Sequence, residues 1–462
     1  MYLYSIAIFG EKNIIQSNMK DMTVGKPSRV LWLFALPLLV SVVFQQLYNI
    51  ADSVIAGQFI GESALAAVGA SYPITMIYMA ICFGSNIGCS VVIAQLFGAK
   101  QLQKVKTAVT TSFLSAVVVS LILIVVGIFT AAPLMRLIKT PADIFDDGVL
   151  YLSIYVGGIL FLFLYNIGTG VFTALGDSKT PLYFLIVSSL GNIGLDILFV
   201  VPLKMGVAGV AWATFLAQGL SAVATWIVLF VKIKRIYPQK APLFSPHMFG
   251  NICRYAVPSI LQQSFVSVGN FMIQGLINRY GSAVIAGYSA ALKLNTFAVT
   301  CIVTVANSLS TFTAQNKGAD QPERIKQGYR AGMLMGLMFA VPFSIAYAVF
   351  GDAFVRIFLS DPSAVASDTG KMFLLLVAPF YAVCALKVIT DSLLRGAGAV
   401  NLFVITTFLD LILRVALSYL LSPVWQTNGI WASWGIGWAI SALLSFGLYL
   451  SGIWKKANAH ID

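Results

Sequence analysis

Two carboxylates in the first half of the chain stand in sequence too apolar to explain them. Asp52 lies in LYNIADSVIAG, and Asp196 lies in SLGNIGLDILFVV, which runs from Ser189 to Val201. A charge at the centre of a bilayer costs several kcal/mol unless it pairs or faces water. Both acids fall at matching depth, a few residues before the outer end of their apolar runs, and no basic residue lies in the interior of any predicted span of this half, Lys106 standing at the inner edge of one. Two acids at one level therefore require a positive group that is not protein, a proton or a small metal cation. Asn192 lies one turn before Asp196 and shares its helix face. Thr214, in GVAWATFLAQ, lies early in the returning helix at similar depth. Carboxylate, amide and hydroxyl oxygens suit a hard cation such as Na+. Desolvation and mutual repulsion of the acids would instead favour a protonated carboxyl. The residues do not choose between Na+ and H+. Taken singly, each has a plainer role: an Asp near a helix end bonds backbone, Asn192 glues helices, Thr214 packs.

The second half holds two acids within apolar runs, Asp391 and Asp410, and both have basic residues one turn away. Lys387 and Asp391 are spaced i,i+4, as are Asp410 and Arg414, so each pair can close on one helix face. Lys293 has no acid at i±4 and reads as a structural residue reaching Asp391 or Asp410 across its bundle. These five residues form a candidate charge network.

Enzymatic chemistry has little material. The two histidines, His247 and His460, lie in a linker and at the tail, and no nucleophile stands with a base. The five cysteines (Cys82, Cys89, Cys253, Cys301 and Cys384) are scattered and read as buried thiols, without a disulfide framework or zinc site. ALGDSKT (Ala174–Thr180) lacks the glycine that a phosphate loop places directly before its lysine; Ser178 stands there. No cofactor is expected, and the energy for any transport must come from an ion gradient.

The elements that position these residues are membrane helices. Of the 462 residues, 59% are hydrophobic and 10% charged, with mean hydropathy +0.88; a soluble chain carries about a quarter charged residues. Runs of roughly 20 apolar residues occur near 30–58, 66–97, 106–131, 147–175, 180–201, 206–231, 250–279, 284–315, 327–351, 370–394, 400–422 and 428–454. With a cytoplasmic amino terminus, alternation through these twelve spans assigns 20 Lys and Arg to the inside and 6 to the outside. That bias supports twelve passes with both termini cytoplasmic. The net charge of +12 thus belongs to loops, and no nucleic-acid partner is expected.

The chain also repeats itself. AQLFGAKQLQKVK (Ala94–Lys106) resembles AQNKGADQPERIK (Ala314–Lys326), FALPLLVS around Pro37 recurs as YAVPSILQ around Pro258, and the TALGDSKT turn with Gly176 faces RGAGAVN with Gly398. The offsets are 220, 221 and 222 residues. An even-numbered duplicated unit of six helices enters the membrane twice in one orientation. At these offsets Ser418 stands opposite Asp196, and Met272 or Ile273 opposite Asp52. The expected organisation is a cytoplasmic segment 1–28, an N-lobe 29–231, a linker 232–249, a C-lobe 250–455 and a tail 456–462. The first 28 residues do not read as a signal peptide, and Met19 or Met22 is an alternative start.

The Pro37 helix running into QQLYNIADSVIAGQFIGESALAAVGAS, the AQLFGAK turn, TALGDSKTP, NIGLD and LRGAGAV together resemble the multidrug and toxic compound extrusion (MATE) family. Within it, they look like the prokaryotic branch related to DNA-damage-inducible protein F. The resemblance covers about residues 22 to 455. It implies an all-α integral membrane protein of twelve helices in two pseudo-symmetric six-helix bundles, V-shaped, in the plasma (inner) membrane as a monomer among lipid. The implied activity is export of amphipathic, often cationic, organic compounds by exchange with Na+ or H+. By motif, Asp52, Asn192, Asp196 and Thr214 fall on the family's N-lobe cation positions, and Pro37 on the proline where the first helix bends. Other branches carry a Glu in the seventh helix; PSILQQSFVS here has Gln262 and Gln263 instead, which argues against a second cation site near Asp391. The rival readings are a flippase of lipid-linked oligosaccharides, which expects a wide basic cavity, and a non-transport receptor or scaffold.

Overall fold

A computed structural model describes residues 20–55, 62–138, 140–359 and 363–456, without the side chains of 48–55 and 62–68. The described chain consists of helices α1 (Pro27–Ile55), α2 (Glu62–Gly98), α3 (Leu102–Leu137), α4 (Ala142–Gly157), α5 (Ile159–Ala174), α6 (Lys179–Val200), α7 (Gly206–Ile236), α8 (Pro246–Ile277), α9 (Ser282–Gly318), α10 (Pro322–Phe358), α11 (Ala364–Val377), α12 (Tyr381–Gly396), α13 (Val400–Leu450) and α14 (Ile453–Lys456). Lipid leaves the backbone no water to bond, so each segment satisfies its own amides as a helix.

Among the described residues, nine helical stretches are long and apolar enough to cross a membrane, and ten if α4 and α5, bent by 46° about Gly158, form one span. Two further passes complete the twelve. Helix α8 misses by hydropathy because Arg254, Gln262, Gln263 and Asn270 interrupt it. Helix α13 is two passes: its 51 residues would reach about 77 Å as one rod, against a hydrocarbon core of about 30 Å. It breaks at Gln426, whose φ is 51°, and doubles back. A Cβ on Gly429 would sit 2.5 Å from the Leu421 carbonyl, and Ser418 bonds Ser433 across the two arms at 2.8 Å.

The duplication is written into the backbone. Lys100 and Asp320, equivalent at the 220 offset, both take left-handed φ, 59° and 53°. Gly176 and Gly398, at the 222 offset, do so at 79° and 93°. Each turn closes with the same pair of bonds. Gly176 donates to Thr173 and Asp177 to Phe172, while Gly398 donates to Arg395 and Ala399 to Leu394. This is the helix-ending motif that uses a left-handed residue to satisfy the last carbonyls.

The chain divides into two compact units, chiefly Leu36–Ile260 and Leu261–His460, with Met22–Ala35 joining the second. Helix α1 thus changes unit beside Pro37, and α8 changes beside Pro258. Proline removes an i→i−4 bond, here the one to the Leu33 carbonyl, and loosens its helix there; one turn on, Ser41 Oγ donates to the Pro37 carbonyl at 3.0 Å. In the first unit α5 packs against α2, α3 and α7. Small residues permit the approach: a Cβ on Gly168 would lie 2.5 Å from Thr225 Cγ2, the close packing that drives helix association in lipid. In the second unit α9 is central, packed on α10, α11 and α12, and α12 lies along α13.

Candidate functional site

Helix α6 is held by an unusual face. Of its residues only Pro181, Ser189, Asn192, Asp196 and Val200 are buried, a stripe at helical spacing. Three of these five are polar. The helix packs extensively along α7 and only lightly on α5.

Asn192 and Thr214 line one cavity of about 290 Å³ inside the first unit, with Ser188 and Ser189 from α6 and Gln218 from α7. Asp196 is fully buried one turn beyond Asn192. The second unit shows at which level such helices meet. Its Ser418–Ser433 contact corresponds to Asp196, by the 222 offset, and to Ala213 beside Thr214, by the 220 offset relating GVAWATF to GIWASWG. The Asp52 side chain lies outside the described residues, although its backbone is helical. Pro37 lies inside α1, below Gln45, which lines the same cavity.

The rest of the lining mixes aromatic rings and the amides of Gln45 and Asn166 with aliphatic side chains such as Met79, Leu162 and Leu185. Tyr151 and Tyr155 stack at 6.3 Å, and Phe215 lies edge-on to Trp212 at 5.0 Å. Asn192 Nδ2 and Gln218 Oε1 have no hydrogen-bond partner among the described residues. Buried amides left open in this way are expected where a ligand or water completes them. Gln218 escaped the sequence reading, yet it follows Thr214 at i+4 and so shares its face.

The second-unit residues assemble differently from the two i,i+4 pairs. Lys387 Nζ bridges both acids, at 3.3 Å from Asp391 and 3.4 Å from Asp410. Asp391 also accepts bonds from Thr406 at 2.8 Å and Ser445 at 2.6 Å. Arg414 does not pair with Asp410 among the described residues; its guanidinium lies over the Trp434 ring at 4.6 Å. Both sit on the buried face of α13, but the cation reaching Asp410 comes from α12. Lys293 is not part of the network either. It is exposed on α9, with its ammonium over the Phe358 ring at 5.5 Å.

An ion pair that the sequence reading missed lies at the inner end of the first unit. Lys232, placed in a loop by hydropathy, is buried on α7 and paired with fully buried Asp177. Asp177 Oδ1 accepts from the Lys179 and Thr180 amides, capping α6, and Oδ2 accepts from the Thr180 hydroxyl. The ammonium also lies over the Phe172 ring at 5.1 Å. The turn dismissed as a phosphate loop is thus an ion-pair site.

The MatE family pattern matches residues 37–198 and again 258–420, two copies in register with the repeat. The probable multidrug resistance protein YpnP of Bacillus subtilis is 28% identical over 441 residues, covering 94% of this chain and 97% of its own. The FAD transporter of Shewanella oneidensis is 24% identical over 347 residues, 73% of this chain and 75% of that one. An outward-facing multidrug resistance MATE family transporter superposes with a TM-score of 0.89 at 21% identity, covering 95% and 98% of the two chains. A MOP superfamily transporter from Pyrococcus furiosus gives 0.87 at 21%, covering 94% and 98%. Twelve passes, a twice-written unit and a twofold family match lead to one conclusion: this chain belongs to the MatE family, and it is a multi-pass membrane transporter rather than an enzyme.

Proposed function

We propose that this protein is a secondary active multidrug exporter, driven by a cation that enters the first unit at Asp52, Asn192, Asp196 and Thr214. The observation that carries the reading is the cavity whose wall includes Asn192 and Thr214, one turn from fully buried Asp196. The relatives' names, multidrug resistance protein and FAD transporter, describe cargoes of the kind such a wall suits. Stacked tyrosines offer a planar face, and amides offer hydrogen bonds to an amphipathic aromatic compound.

The cycle follows from charge. A Na+ or H+ from outside neutralises the acids, removing their repulsion. The first helix then bends near Pro37, the cavity shrinks, and cargo leaves. Release of the cation to the cytoplasm resets the unit. Coupling requires the cation to prefer one conformation, since equal affinity for both shifts nothing. The bias of 20 inside to 6 outside basic residues supports cytoplasmic termini in a plasma-membrane protein.

Dye efflux from proteoliposomes, with Na+ and pH gradients imposed separately, tests this reading. Efflux driven by one gradient in the native chain and lost in Asp196→Asn is expected. Gradient-driven efflux at the native rate in that variant would overturn it.

A further inference from the structure

The buried face of α7 carries a polar seam. Thr214, Gln218, Ser221, Thr225 and Lys232 recur at spacings of four, three, four and seven, the periodicity of one helix face. Opposite its outer part runs the α6 stripe of Asp196, Asn192 and Ser189; further in, Thr225 packs against Gly168 of α5 and Lys232 meets Asp177 in the turn between α5 and α6. The cavity occupies only the outer part of this seam. Below it, Thr225 is fully buried, and its hydroxyl has no hydrogen-bond partner among the described residues. Thr and Gln side chains also join helices by packing, but a fully buried hydroxyl left open between a cavity and a buried ion pair is not accounted for by packing.

The seam is closed at its inner end in two layers. Phe172 on α5 and Phe184 on α6 face each other at 6.3 Å between centroids. Beneath them Lys232 pairs with Asp177, its ammonium seated on Phe172. An aromatic layer excludes water, and a fixed ammonium repels a passing cation. The repeat supports a role peculiar to this half. Opposite Asp177 at the 222 offset stands Ala399, as Ser418 stands opposite Asp196, so the half without the site acid also lacks the acid of the closure.

We propose that the polar seam α7 presents to α6 and α5 is the inner exit of the coupling cation, and that Lys232–Asp177 with Phe172 and Phe184 is its gate. The inference rests on the Asp196 cation site proposed above. Opening requires Lys232 to leave Asp177, after which the carboxylate becomes the last station for the departing cation. Lys232 then acts as counter-charge in the closed state only.

The test is cation flux without cargo. Proteoliposomes bearing the full chain are given an inward Na+ gradient, read as radioactive sodium uptake, or an inward proton gradient, read with entrapped pyranine. The native chain should leak slowly. Lys232→Met should leak at least tenfold faster, and Asp196→Asn added to it should return the flux to the native level. Should Lys232→Met fail to fold, Asp177→Asn/Lys232→Met, which leaves no charge uncompensated, decides in its place, with Phe184→Ala probing the aromatic layer alone. Native-level flux in the folded variants overturns the gate, as does a leak that Asp196→Asn leaves untouched. Native efflux in the single Asp196→Asn variant would instead bring down the cation site itself.

Discussion

The two units carry the same turns and opposite interiors. At the 222 offset, Ser188, Asn192 and Asp196 of the first unit correspond to Asp410, Arg414 and Ser418 of the second. In the second unit the acids are answered by protein: Lys387 sits between Asp391 and Asp410, and Ser418 closes on Ser433. In the first, the same level opens into a cavity walled by amides and hydroxyls, some without a partner among the described residues. A cavity walled by open amides and hydroxyls offers a ligand what a closed charge network does not, and that is the contrast the proposed cation site rests on. Duplication preserved the backbone turns and changed the interior side chains.

Each substitution below would break or sharpen that contrast, the largest effect first. Asp196→Asn should abolish cation-driven efflux, at least a hundredfold loss by dye transport, while thermal unfolding in detergent stays near native. Lys387→Met should do the reverse. Removing one member of a buried charge network costs about 3–5 kcal/mol, so the unfolding temperature should fall, and Lys387→Met/Asp391→Asn should recover part of it. A Lys387→Met protein of native stability would mean that the second-unit charges are not held by this lysine. Thr214→Val removes one cavity oxygen and keeps the shape. It should raise the half-saturating cation concentration about tenfold, the weight of one hydrogen-bonding ligand, with maximal rate unchanged. Gly398→Ala should cost about 1 kcal/mol, because φ of 93° is unfavourable for a side chain, and should leave cation dependence alone. Loss of coupling in that last variant would show that the second unit's turn contributes to the cation cycle.

Much of the architecture was legible in residue order, because hydropathy over 20 residues and the Lys and Arg bias act locally. The break in α13 at Gln426 separates the spans expected at 400–422 and 428–454. The bend at Gly158 was not foreseen, although the Gly157–Gly158 pair in YVGGILF stands at it; hydropathy reads glycine as apolar and misses the loosening such a pair brings. In the site, Asn192 was found through its i+4 relation to Asp196. Gln218 and Thr225 were overlooked because a lone amide or hydroxyl in an apolar helix has many plainer uses. Lys232 was misassigned for a physical reason. It stands where KIKRI begins to look like a loop, and hydropathy cannot tell a lysine that snorkels to water from one that turns inward to an acid.

Residue order alone determined the class of protein, the number of passes, the duplication and the half that retains an acid at the depth of Asp196. These depend on composition, period and offset, which are properties of a one-dimensional string. Only the tertiary structure decided the partners: Lys387 serving two acids, Arg414 turning to Trp434, Lys293 standing apart at Phe358, and Lys232 folding down onto Asp177. Partnership across helices depends on the rotation of each helix in its bundle and on which neighbour it meets. The i,i+4 rule describes one helix and is silent about the next.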